Sequence, residues 1–342
     1  MKSQSKLLYN SSILITGGTG SFGKEFINIC LKNYKPKKII IFSRDELKQY
    51  EMQNDPNIRQ YIKQKKLRFF IGDIRDKERL EMATQNVDIV IHAAALKQVP
   101  TAEYNPFETV KTNIIGSQNV IEACLKNNVK RVIALSTDKA SSPVNLYGAT
   151  KLTSDKLFIA ANNYKGNKNI KFSIVRYGNV LKSRGSVVPY FLQFKNLGWF
   201  PVTSKKMTRF NITLNQGVDF VISSLDLMWG GEVFIPKISS YSIVDVAKAI
   251  NSKNKIKEIG IRGGEKLHEE MISVSESFNS YEFKNYYTIL PSKEYIQWNI
   301  KKYLNKNKKD IGHKCKEGFN YNSLDNKLFL NSNELKKLIF EN

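Results

Sequence analysis

The stretch Ser12-Ile-Leu-Ile-Thr16, followed at once by Gly17-Gly-Thr-Gly-Ser-Phe-Gly23, decides the fold of this chain. The apolar run predicts a buried strand, and the glycine loop leads into a helical pattern. Gly17 permits a tight turn, Gly20 leaves room for a pyrophosphate, and Gly23 lets helix and strand pack closely. The N–H groups and dipole of the first helical turn attract an anion. We therefore favour a dinucleotide-binding unit over an ordinary glycine-rich turn.

Apolar runs alternate with amphipathic segments through the first half of the chain. The predicted strands are Ser12–Thr16, Lys38–Phe42, Leu67–Ile71, Val87–Ile91, Val129–Leu135 and Ile170–Val175. The predicted helices are Phe22–Lys32, Phe107–Asn127 and Asn145–Asn163. Strand and helix in alternation predict a parallel sheet with right-handed crossovers. The fold class is therefore α/β, a doubly wound Rossmann-type sheet.

The alternating pattern weakens after about residue 178, where glycine and proline become frequent. We expect residues 1–177 to form the dinucleotide-binding Rossmann domain. Residues 178–342 are expected to form mainly a smaller C-terminal substrate-binding lobe, with some segments returning to the Rossmann domain.

Composition narrows the class of protein. The chain has 342 residues and a formal charge of +23, yet only 10 of its 54 basic residues are arginine. Proteins that read nucleic acid rely on arginine and cluster their charge, whereas these lysines are scattered. We therefore expect no nucleic-acid partner, and keep a polyanion-binding protein as the non-enzyme alternative.

Other classes are disfavoured by missing patterns. No run reaches the roughly 18 to 20 apolar residues of a membrane-spanning helix, and we see no export signal, so no membrane partner is expected. Three cysteines without paired spacing indicate buried thiols in a reducing cytoplasm. Three histidines lie far apart along the chain, so no metal site is predicted.

The end of the second predicted strand bears on the choice of nucleotide. In Rossmann folds that prefer NAD, an acidic residue stands at this place and faces the ribose hydroxyls. Here Ser43 and Arg44 occupy it, and Lys48 follows one turn later. These groups suit a 2′-phosphate, so we predict NADP as the cofactor. The alternatives are a surface Arg44 paired with Asp45 or Glu46, and an Asp45 that accepts a hydrogen bond from a ribose hydroxyl.

Two strand ends further along complete the predicted cofactor cleft. Asp73 and Ile74 follow the third strand, where they can flank an adenine, with Asp73 accepting from its amino group. The run His92-Ala-Ala-Ala95 follows the fourth strand, and its small side chains allow a cofactor to approach closely.

Candidate catalytic residues follow the fifth strand. Tyr147 and Lys151 stand four residues apart on a predicted helix, so both project from one face. An ammonium there favours the phenolate, which lowers the tyrosine pKa and makes Tyr147 a base for a sugar hydroxyl. Asp138 and Lys139 supply a further acid and base, although a salt-bridged turn is the plain alternative.

These motifs resemble the extended short-chain dehydrogenase/reductase superfamily, and more closely the inverting UDP-N-acetylglucosamine 4,6-dehydratases within it. The matching blocks are Ile15–Lys24, Phe42–Lys48, His92–Lys97, Leu135–Ala140, Asn145–Lys151, Arg176–Val180, Ser183–Pro189 and Met207–Phe210. They run in order over about residues 12 to 271, and the tail beyond roughly 275 carries no recognised motif.

The resemblance implies a reaction on UDP-N-acetylglucosamine in which NADP stores a hydride temporarily. Tyr147 would take the C4 hydroxyl proton while Thr137 hydrogen-bonds nearby. Lys139 would take the C5 proton if its amine is kept neutral, and Asp138 would protonate the leaving C6 hydroxyl. Return of the C5 proton on the opposite face gives the L-configured UDP-2-acetamido-2,6-dideoxy-β-L-arabino-hex-4-ulose.

The resemblance also implies the binding residues. Cofactor binding is assigned to Gly17, Thr19, Gly20, Ser21, Phe22, Gly23, Ser43, Arg44, Asp45, Glu46, Leu47, Lys48, Asp73, Ile74, Ala93, Lys97, Tyr147, Lys151 and Val180. Substrate binding is assigned to Lys97, Asn179, Arg184, Thr203, Met207, Arg209, Arg262 and Glu265.

The biological setting is implied by the same resemblance. The enzyme would be a cytoplasmic homo-oligomer, with a hexamer as one candidate, and would begin pseudaminic acid synthesis for flagellin or surface glycosylation. The rival enzymes are a nucleotide-sugar 4-epimerase, which needs Tyr147 and Lys151 but not Asp138 and Lys139, and a capsule-type dehydratase that epimerises further.

Overall fold

The computed structural model describes residues 5–183, 185–295, 298–308 and 310–341. The first part of the chain forms β1 (Ser12–Thr16), α1 (Ser21–Asn33), β2 (Lys38–Ser43), α2 (Glu46–Gln53), α3 (Pro56–Lys63), β3 (Leu67–Ile71), α4 (Lys77–Ala83), β4 (Ile89–His92), α5 (Val99–Tyr104), α6 (Pro106–Val110), α7 (Gly116–Lys126), β5 (Arg131–Thr137), α8 (Leu146–Tyr164) and β6 (Lys171–Tyr177). A π-helical turn, Lys111–Ile115, joins α6 to α7.

The later part forms β7 (Asn179–Val180), α9 (Val187–Gln193), β8 (Trp199–Val202), β9 (Thr208–Ile212), α10 (Leu214–Leu227), β10 (Val233–Pro236), β11 (Ser239–Ser242), α11 (Ile243–Ile250), β12 (Lys255–Glu258), β13 (Glu270–Ile272), β14 (Ser280–Glu282), β15 (Tyr286–Ile289), α12 (Ile300–Leu304), β16 (His313–Lys314), β17 (Tyr321–Asn322) and α13 (Ser332–Phe340). Three short 3₁₀ turns lie at Asp138–Ala140, Val274–Asn279 and Lys293–Tyr295.

Ten strands form the main sheet in the order β16-β14-β15-β10-β6-β5-β4-β1-β2-β3. The seven strands from β3 to β10 run parallel, and the pairings of β15, β14 and β16 are antiparallel. The strand order reverses between β1 and β4, and a crevice opens there at the carboxyl ends of the strands. The predicted doubly wound Rossmann-type α/β fold is confirmed.

The central strands are apolar because helices cover both faces of the sheet. All five residues of β1 are buried, including Ile13, Leu14 and Ile15. The predicted bounds of β1 and β3 match the structure, while β5 and β6 begin and end slightly later than predicted. The helix predicted from Phe107 to Asn127 is interrupted by its π-helical turn, a feature that hydrophobic spacing does not reveal.

The later residues contribute to both bodies of the structure. Strands β10, β14, β15 and β16 lie in the main sheet, although they follow residue 178. A second hydrophobic core forms beside the sheet from α9, β8, α11 and α13, with Phe200, Val246 and Leu335 fully buried in it. The tail, for which the sequence offered no motif, therefore completes this second core through α13.

In the part of the chain that the structure describes, no helix combines the length and the apolar character needed to span a bilayer.

Candidate functional site

A cavity of about 790 Å³ opens at the carboxyl ends of the parallel strands, where the strand order reverses. Most of the predicted site residues line it. They are Gly17, Thr19, Gly20, Ser21, Phe22, Gly23, Ser43, Arg44, Asp45, Lys48, Asp73, Ile74, Ala93, Lys97, Thr137, Lys139, Tyr147, Lys151, Asn179, Val180, Arg209 and Glu265.

The glycine loop forms a cradle between β1 and α1. Gly17 has a φ of +67°, and a Cβ there would come within 3.0 Å of the Ala94 backbone. A Cβ on Gly23 would lie 2.4 Å from the Gly18 carbonyl oxygen, so only glycine allows this close packing. Within the described residues no side chain caps the N-terminus of α1 at Gly20. The first-turn N–H groups therefore face the cavity and suit a pyrophosphate.

The end of β2 presents polar groups to the same cavity. The Thr19 and Ser43 hydroxyls are hydrogen-bonded at 2.9 Å. The Arg44 side chain is 56% exposed and lies 3.6 Å from a carboxylate oxygen of Asp73. Its partner is therefore Asp73, and not the Asp45 or Glu46 considered from the sequence. The position leaves the guanidinium able to reach a phosphate at the cavity mouth.

Four residues assigned to the cofactor, three acids and one apolar residue, have contacts or positions that the sequence did not predict. Asp45 caps α2 by accepting from the Lys48 N–H at 2.9 Å. Asp73 accepts from the Arg75 guanidinium at 2.8 Å, and Arg75 holds its pKa below the ordinary value although burial works the other way. Glu46 and the exposed Leu47 lie outside the cavity lining.

The helix α8 carries the tyrosine and lysine predicted from their spacing. The Asn145 side chain caps α8 by accepting from the Gly148 N–H at 2.8 Å, which fixes the helix start beside the cavity. Tyr147 and Lys151 are both buried and both line the cavity. Their neighbour Thr137, at the end of β5, is hydrogen-bonded to the Tyr147 hydroxyl.

The pKa of Tyr147 differs from the sequence expectation. Burial raises it to about 12, and this effect outweighs the lowering by the nearby Lys139 charge and the Thr137 hydrogen bond. Burial also lowers the pKa of the Lys151 ammonium, against the opposing charge of Asp155. The expectation that the Lys151 ammonium lowers the tyrosine pKa was wrong for the net shift, because desolvation of the phenolate is the larger effect.

A cluster of buried charges surrounds the turn after β5. Lys139 Nζ lies 3.1 Å from Asp138 Oδ1 and 3.1 Å from Glu269 Oε1. Burial alone would lower the Lys139 pKa, but the two carboxylates raise it above the ordinary value. The amine is thus held as an ammonium, contrary to the neutral state expected for a base. Burial raises the pKa of Asp138, which favours the protonated acid that donation requires.

Glu269 was missed by sequence reasoning. It lies in an irregular segment before β13, with no motif or periodicity to mark it, and only the tertiary fold brings it to Lys139. Burial favours its neutral form, but Lys139 and Arg209 together hold its pKa below the ordinary value. The cluster therefore places beside Lys139 two acids whose pKa values are shifted in opposite directions.

Arg209 was predicted to bind the substrate, and its guanidinium hydrogen-bonds to several backbone carbonyl oxygens of the protein. Its guanidinium donates to the carbonyl oxygens of Thr208, Lys266 and Leu267 at 2.7, 3.1 and 3.0 Å. It lies 3.6 Å from Glu269 Oε1 through Nε. Arg209 therefore ties β9 to the segment that carries Glu269.

A second cavity of about 420 Å³ adjoins the first and lies against the smaller core. Six predicted substrate residues line it, namely Asn179, Thr203, Met207, Arg209, Arg262 and Glu265. Asn179, Arg209 and Glu265 also line the first cavity, so the two cavities share part of their walls. Arg184 was also predicted to bind the substrate, and it lies outside the described residues.

A buried ion-pair network connects α8 to β6 and to the 3₁₀ turn Val274–Asn279. Arg176 on β6 is 1% exposed and lies 3.6 Å from Asp155 Oδ2 and 2.9 Å from Glu276 Oε1. Asp155 also accepts from the Ser136 hydroxyl at 2.6 Å. The sequence analysis quoted Arg176 within a motif but assigned it no role. Among the described residues, no cluster of three or more His, Cys, Asp or Glu is placed to hold a metal ion.

Comparison with known proteins places this geometry in a family. The model of the family described as "Polysaccharide biosynthesis protein" matches residues 13–291. A relative from Campylobacter jejuni subsp. jejuni serotype O:2, named UDP-N-acetylglucosamine 4,6-dehydratase (inverting), is 56% identical over 330 residues, covering 96% of this chain and 97% of that protein. A relative from Rickettsia bellii, named UDP-glucose 4-epimerase, is 42% identical and covers 83% of this chain and 84% of its own.

A solved structure gives the same result. The X-ray structure of Pen from Bacillus thuringiensis superposes with a TM-score of 0.85 at 36% identity, covering 98% of this chain and 99% of that one. The chain therefore belongs to the polysaccharide biosynthesis protein family and, within it, to the family of the inverting UDP-N-acetylglucosamine 4,6-dehydratases.

Proposed function

We propose that this protein is a UDP-N-acetylglucosamine 4,6-dehydratase that inverts C5 and uses NADP as its bound cofactor. The observation that carries the proposal is the placement of Lys139 in the same cavity wall as Tyr147 and Lys151, with the Asp138 carboxylate 3.1 Å from its Nζ. Asp138 itself is fully buried and lies outside the cavity lining. A simple alcohol oxidation needs only the tyrosine and lysine. Dehydration needs one more acid and one more base, and the buried turn after β5 supplies both types.

The cradle between β1 and α1 fits the pyrophosphate of a nicotinamide dinucleotide. The Gly17 turn, the close packing at Gly23 and the N-terminus of α1 leave space and donors for that group. When bound, the nicotinamide would supply a temporary store for a hydride. Arg44 at the cavity mouth, with Ser43 beside it, would hold a 2′-phosphate.

The proton transfers are proposed for this chain's own residues. Tyr147 takes the proton of the C4 hydroxyl, with Thr137 hydrogen-bonded to its oxygen. Asp138, whose pKa is raised by burial, donates a proton to the C6 hydroxyl as it leaves. Lys139 takes the C5 proton after its ammonium has released one proton to solvent. The L-configured 4-keto-6-deoxy sugar follows when C5 receives a proton on the opposite face.

The second cavity suits the UDP-sugar. It shares Asn179, Arg209 and Glu265 with the first cavity, and Arg262 also lines it. A cationic side chain there favours a diphosphate, and the hydrophobic floor near Met207 suits a base or sugar ring.

The test is product identification by NMR in deuterated water, from purified protein and UDP-N-acetylglucosamine. The proposal expects a 6-deoxy product with deuterium at C5 and the L configuration there. A product that differs from the substrate only at C4 would instead establish the 4-epimerase, a rival that the Rickettsia relative's name supports. A product that has been dehydrated and then epimerised further would establish the capsule-type dehydratase.

Lys139→Ala separates these reactions within the same protein. A dehydratase with this substitution should lose C5 deuterium exchange by about a hundredfold or more, since general-base catalysis contributes roughly 10²–10⁴-fold. Lys156→Ala, at an exposed position on α8, is the matched control and should retain full exchange. Undiminished turnover by Lys139→Ala would refute the assigned base.

The NADP preference is tested by titration calorimetry with the two cofactors. Arg44→Ala should weaken NADP binding roughly tenfold to a hundredfold, as expected for loss of a charge-assisted hydrogen bond, and leave NAD binding almost unchanged. Arg59→Ala, at an exposed position on α3, is the control. Equal affinity of the wild-type protein for NADP and NAD would refute the preference.

The proposal includes the cytoplasmic setting, a homo-oligomeric assembly and the first step of pseudaminic acid synthesis. Light scattering of the purified protein measures the assembly directly, and a monomer at enzymatic concentration would contradict it.

A further inference from the structure

Glu269 is a buried acid in the cavity wall to which neither the sequence motifs nor the proposed proton transfers give a role. Its side chain is 2% exposed, and Oε1 lies between Lys139 Nζ at 3.1 Å and Arg209 Nε at 3.6 Å. Its backbone is fixed on both sides by Ser323, which accepts from its N–H at 2.9 Å and donates to its carbonyl at 2.8 Å. The carboxylate is thus held rigidly against the lysine.

The surroundings of Lys139 are strongly charged. Its Nζ also contacts Asp138 Oδ1 at 3.1 Å and Asn179 Oδ1 at 3.5 Å. The titratable and charged groups that face it from all neighbouring elements are Asp138, Tyr147, Arg209, Tyr241, Lys266 and Glu269. Of the two acids in contact, Asp138 also accepts from Thr137 at 3.0 Å and belongs to the same turn as Lys139. Glu269 reaches the lysine from a distant segment.

We propose that Glu269 is a positioning residue that holds the Lys139 side chain toward the cavity and sets the pH at which its ammonium becomes an amine. This inference rests on the proposed function, in which Lys139 takes the C5 proton. The carboxylate contacts Nζ from a segment distant along the chain from the Asp138 turn, so two acids restrain the lysine side chain. The same contact stabilises the Lys139 ammonium. Lys139 can therefore act as a base only after the ammonium has lost a proton.

The direction of the pKa shifts agrees with this arrangement. Burial would lower the Lys139 pKa, yet Asp138 and Glu269 raise it. Burial favours the neutral form of Glu269, yet Lys139 and Arg209 keep it ionised. Asp138 has a raised pKa and Glu269 a lowered one, so the surroundings favour the ionised form of Glu269 more than that of Asp138.

The test measures the lysine without any substrate. Brief reductive methylation of the whole protein over a range of pH, read by peptide mass spectrometry, reports how much of Lys139 is unprotonated. Glu269→Gln keeps the side-chain volume and removes the charge. It should move the labelling midpoint of Lys139 to lower pH by about one to three units, the shift expected when an opposite charge at this distance is removed.

Two further variants make the outcome specific. Glu270→Gln removes the neighbouring carboxylate, which bonds to Ser142 at 2.7 Å and not to Lys139, and should leave the midpoint in place. Glu269→Asp keeps the charge but places it farther from Lys139, so it should shift the labelling midpoint in the same direction by a smaller amount. This variant provides the test if Glu269→Gln does not fold. A change in limiting labelling rate without a midpoint shift would mean a merely structural role and would overturn the inference.

Failure of this inference is distinguishable from failure of the proposed function. NMR of the wild-type product decides the reaction, whereas the labelling midpoint decides the role of Glu269 whatever the reaction is. In a confirmed dehydratase, Glu269→Gln should also displace the pH profile of C5 deuterium exchange to lower pH.

Discussion

Replacing Arg176 by methionine tests the buried network beneath the candidate site. Arg176 is 1% exposed, and its guanidinium bridges Asp155 on α8 and Glu276 on the 3₁₀ turn after β13. It also donates to the Met271 carbonyl oxygen at 3.0 Å. Arg176→Met preserves much of the side-chain length but removes the only cation in contact with both acids among the described ion pairs.

The magnitude follows from the burial of the partners. Breaking a buried ion pair by removing one member costs about 3 to 5 kcal/mol, because the remaining charge is left without compensation. Asp155 is fully buried, so water cannot replace the lost guanidinium at that acid, whereas the Glu276 side chain is 23% exposed. We therefore expect the free energy of unfolding at neutral pH to fall by about 3 to 5 kcal/mol.

The loss should depend on pH with a definite sign. In the wild-type protein burial would raise the Glu276 pKa, but Arg176 and the hydrogen bonds from Ser273 hold it below the ordinary value. That group therefore stabilises the fold above its unfolded pKa of about 4.3, and the contribution is lost as pH falls through the folded pKa. Without Arg176, burial raises the pKa, so protonation at mildly acidic pH stabilises the variant.

Urea unfolding followed by circular dichroism, at a series of pH values between about 8 and 5, measures both effects. The difference between wild type and Arg176→Met should be largest at the neutral end and shrink toward acid. Adding Glu276→Gln to the variant should recover part of the loss at neutral pH, while Arg59→Met, at an exposed position, should stay within about 0.5 kcal/mol of wild type. A loss that is small, or equal at every pH, would refute the reasoning.

Two further predictions concern packing. A Cβ at Gly148 would lie 2.2 Å from the Lys139 carbonyl oxygen, so Gly148→Ala should push the start of α8 away from the turn after β5 and reduce kcat by about a hundredfold, the cost of roughly 1 Å of misplacement. The control is kcat of Ala149→Ser, at the exposed neighbouring position, which should be unchanged. A normal kcat in Gly148→Ala would contradict the prediction. In the native protein an aromatic disulfide reagent should modify Cys315 slowly, because it is partly exposed and burial raises its pKa to about 11. Cys30 and Cys124 are buried and should react only after unfolding. Rapid reaction of all three thiols in the native protein would contradict the burial of these two.

Much of the catalytic half of the site could be predicted from local sequence. The glycine spacing after β1 and the interval between Tyr147 and Lys151 each lie within one turn or helix, so periodicity alone places them together. The bounds of β1 and β3 were likewise readable from their apolar runs. The carboxyl ends of parallel strands meet at one edge, and hence these segments were expected to share a cleft.

The charge state of the site could not be predicted in this way. The pKa of Tyr147 depends on burial that sequence spacing does not measure, and that of Lys139 depends on Glu269, 130 positions away along the chain. The Arg44 contact with Asp73 was missed for the same reason, since local acids were the natural candidates.

The sequence by itself determined the parallel sheet, the phosphate cradle and the types of side chain at the strand ends, because short-range periodicity and glycine conformation encode them. Only the tertiary structure decided which of those side chains carries a charge. Desolvation and Coulomb interactions depend on distance in space, and the fold alone brings Glu269 and Arg209 from the second half of the chain against Lys139 in the first.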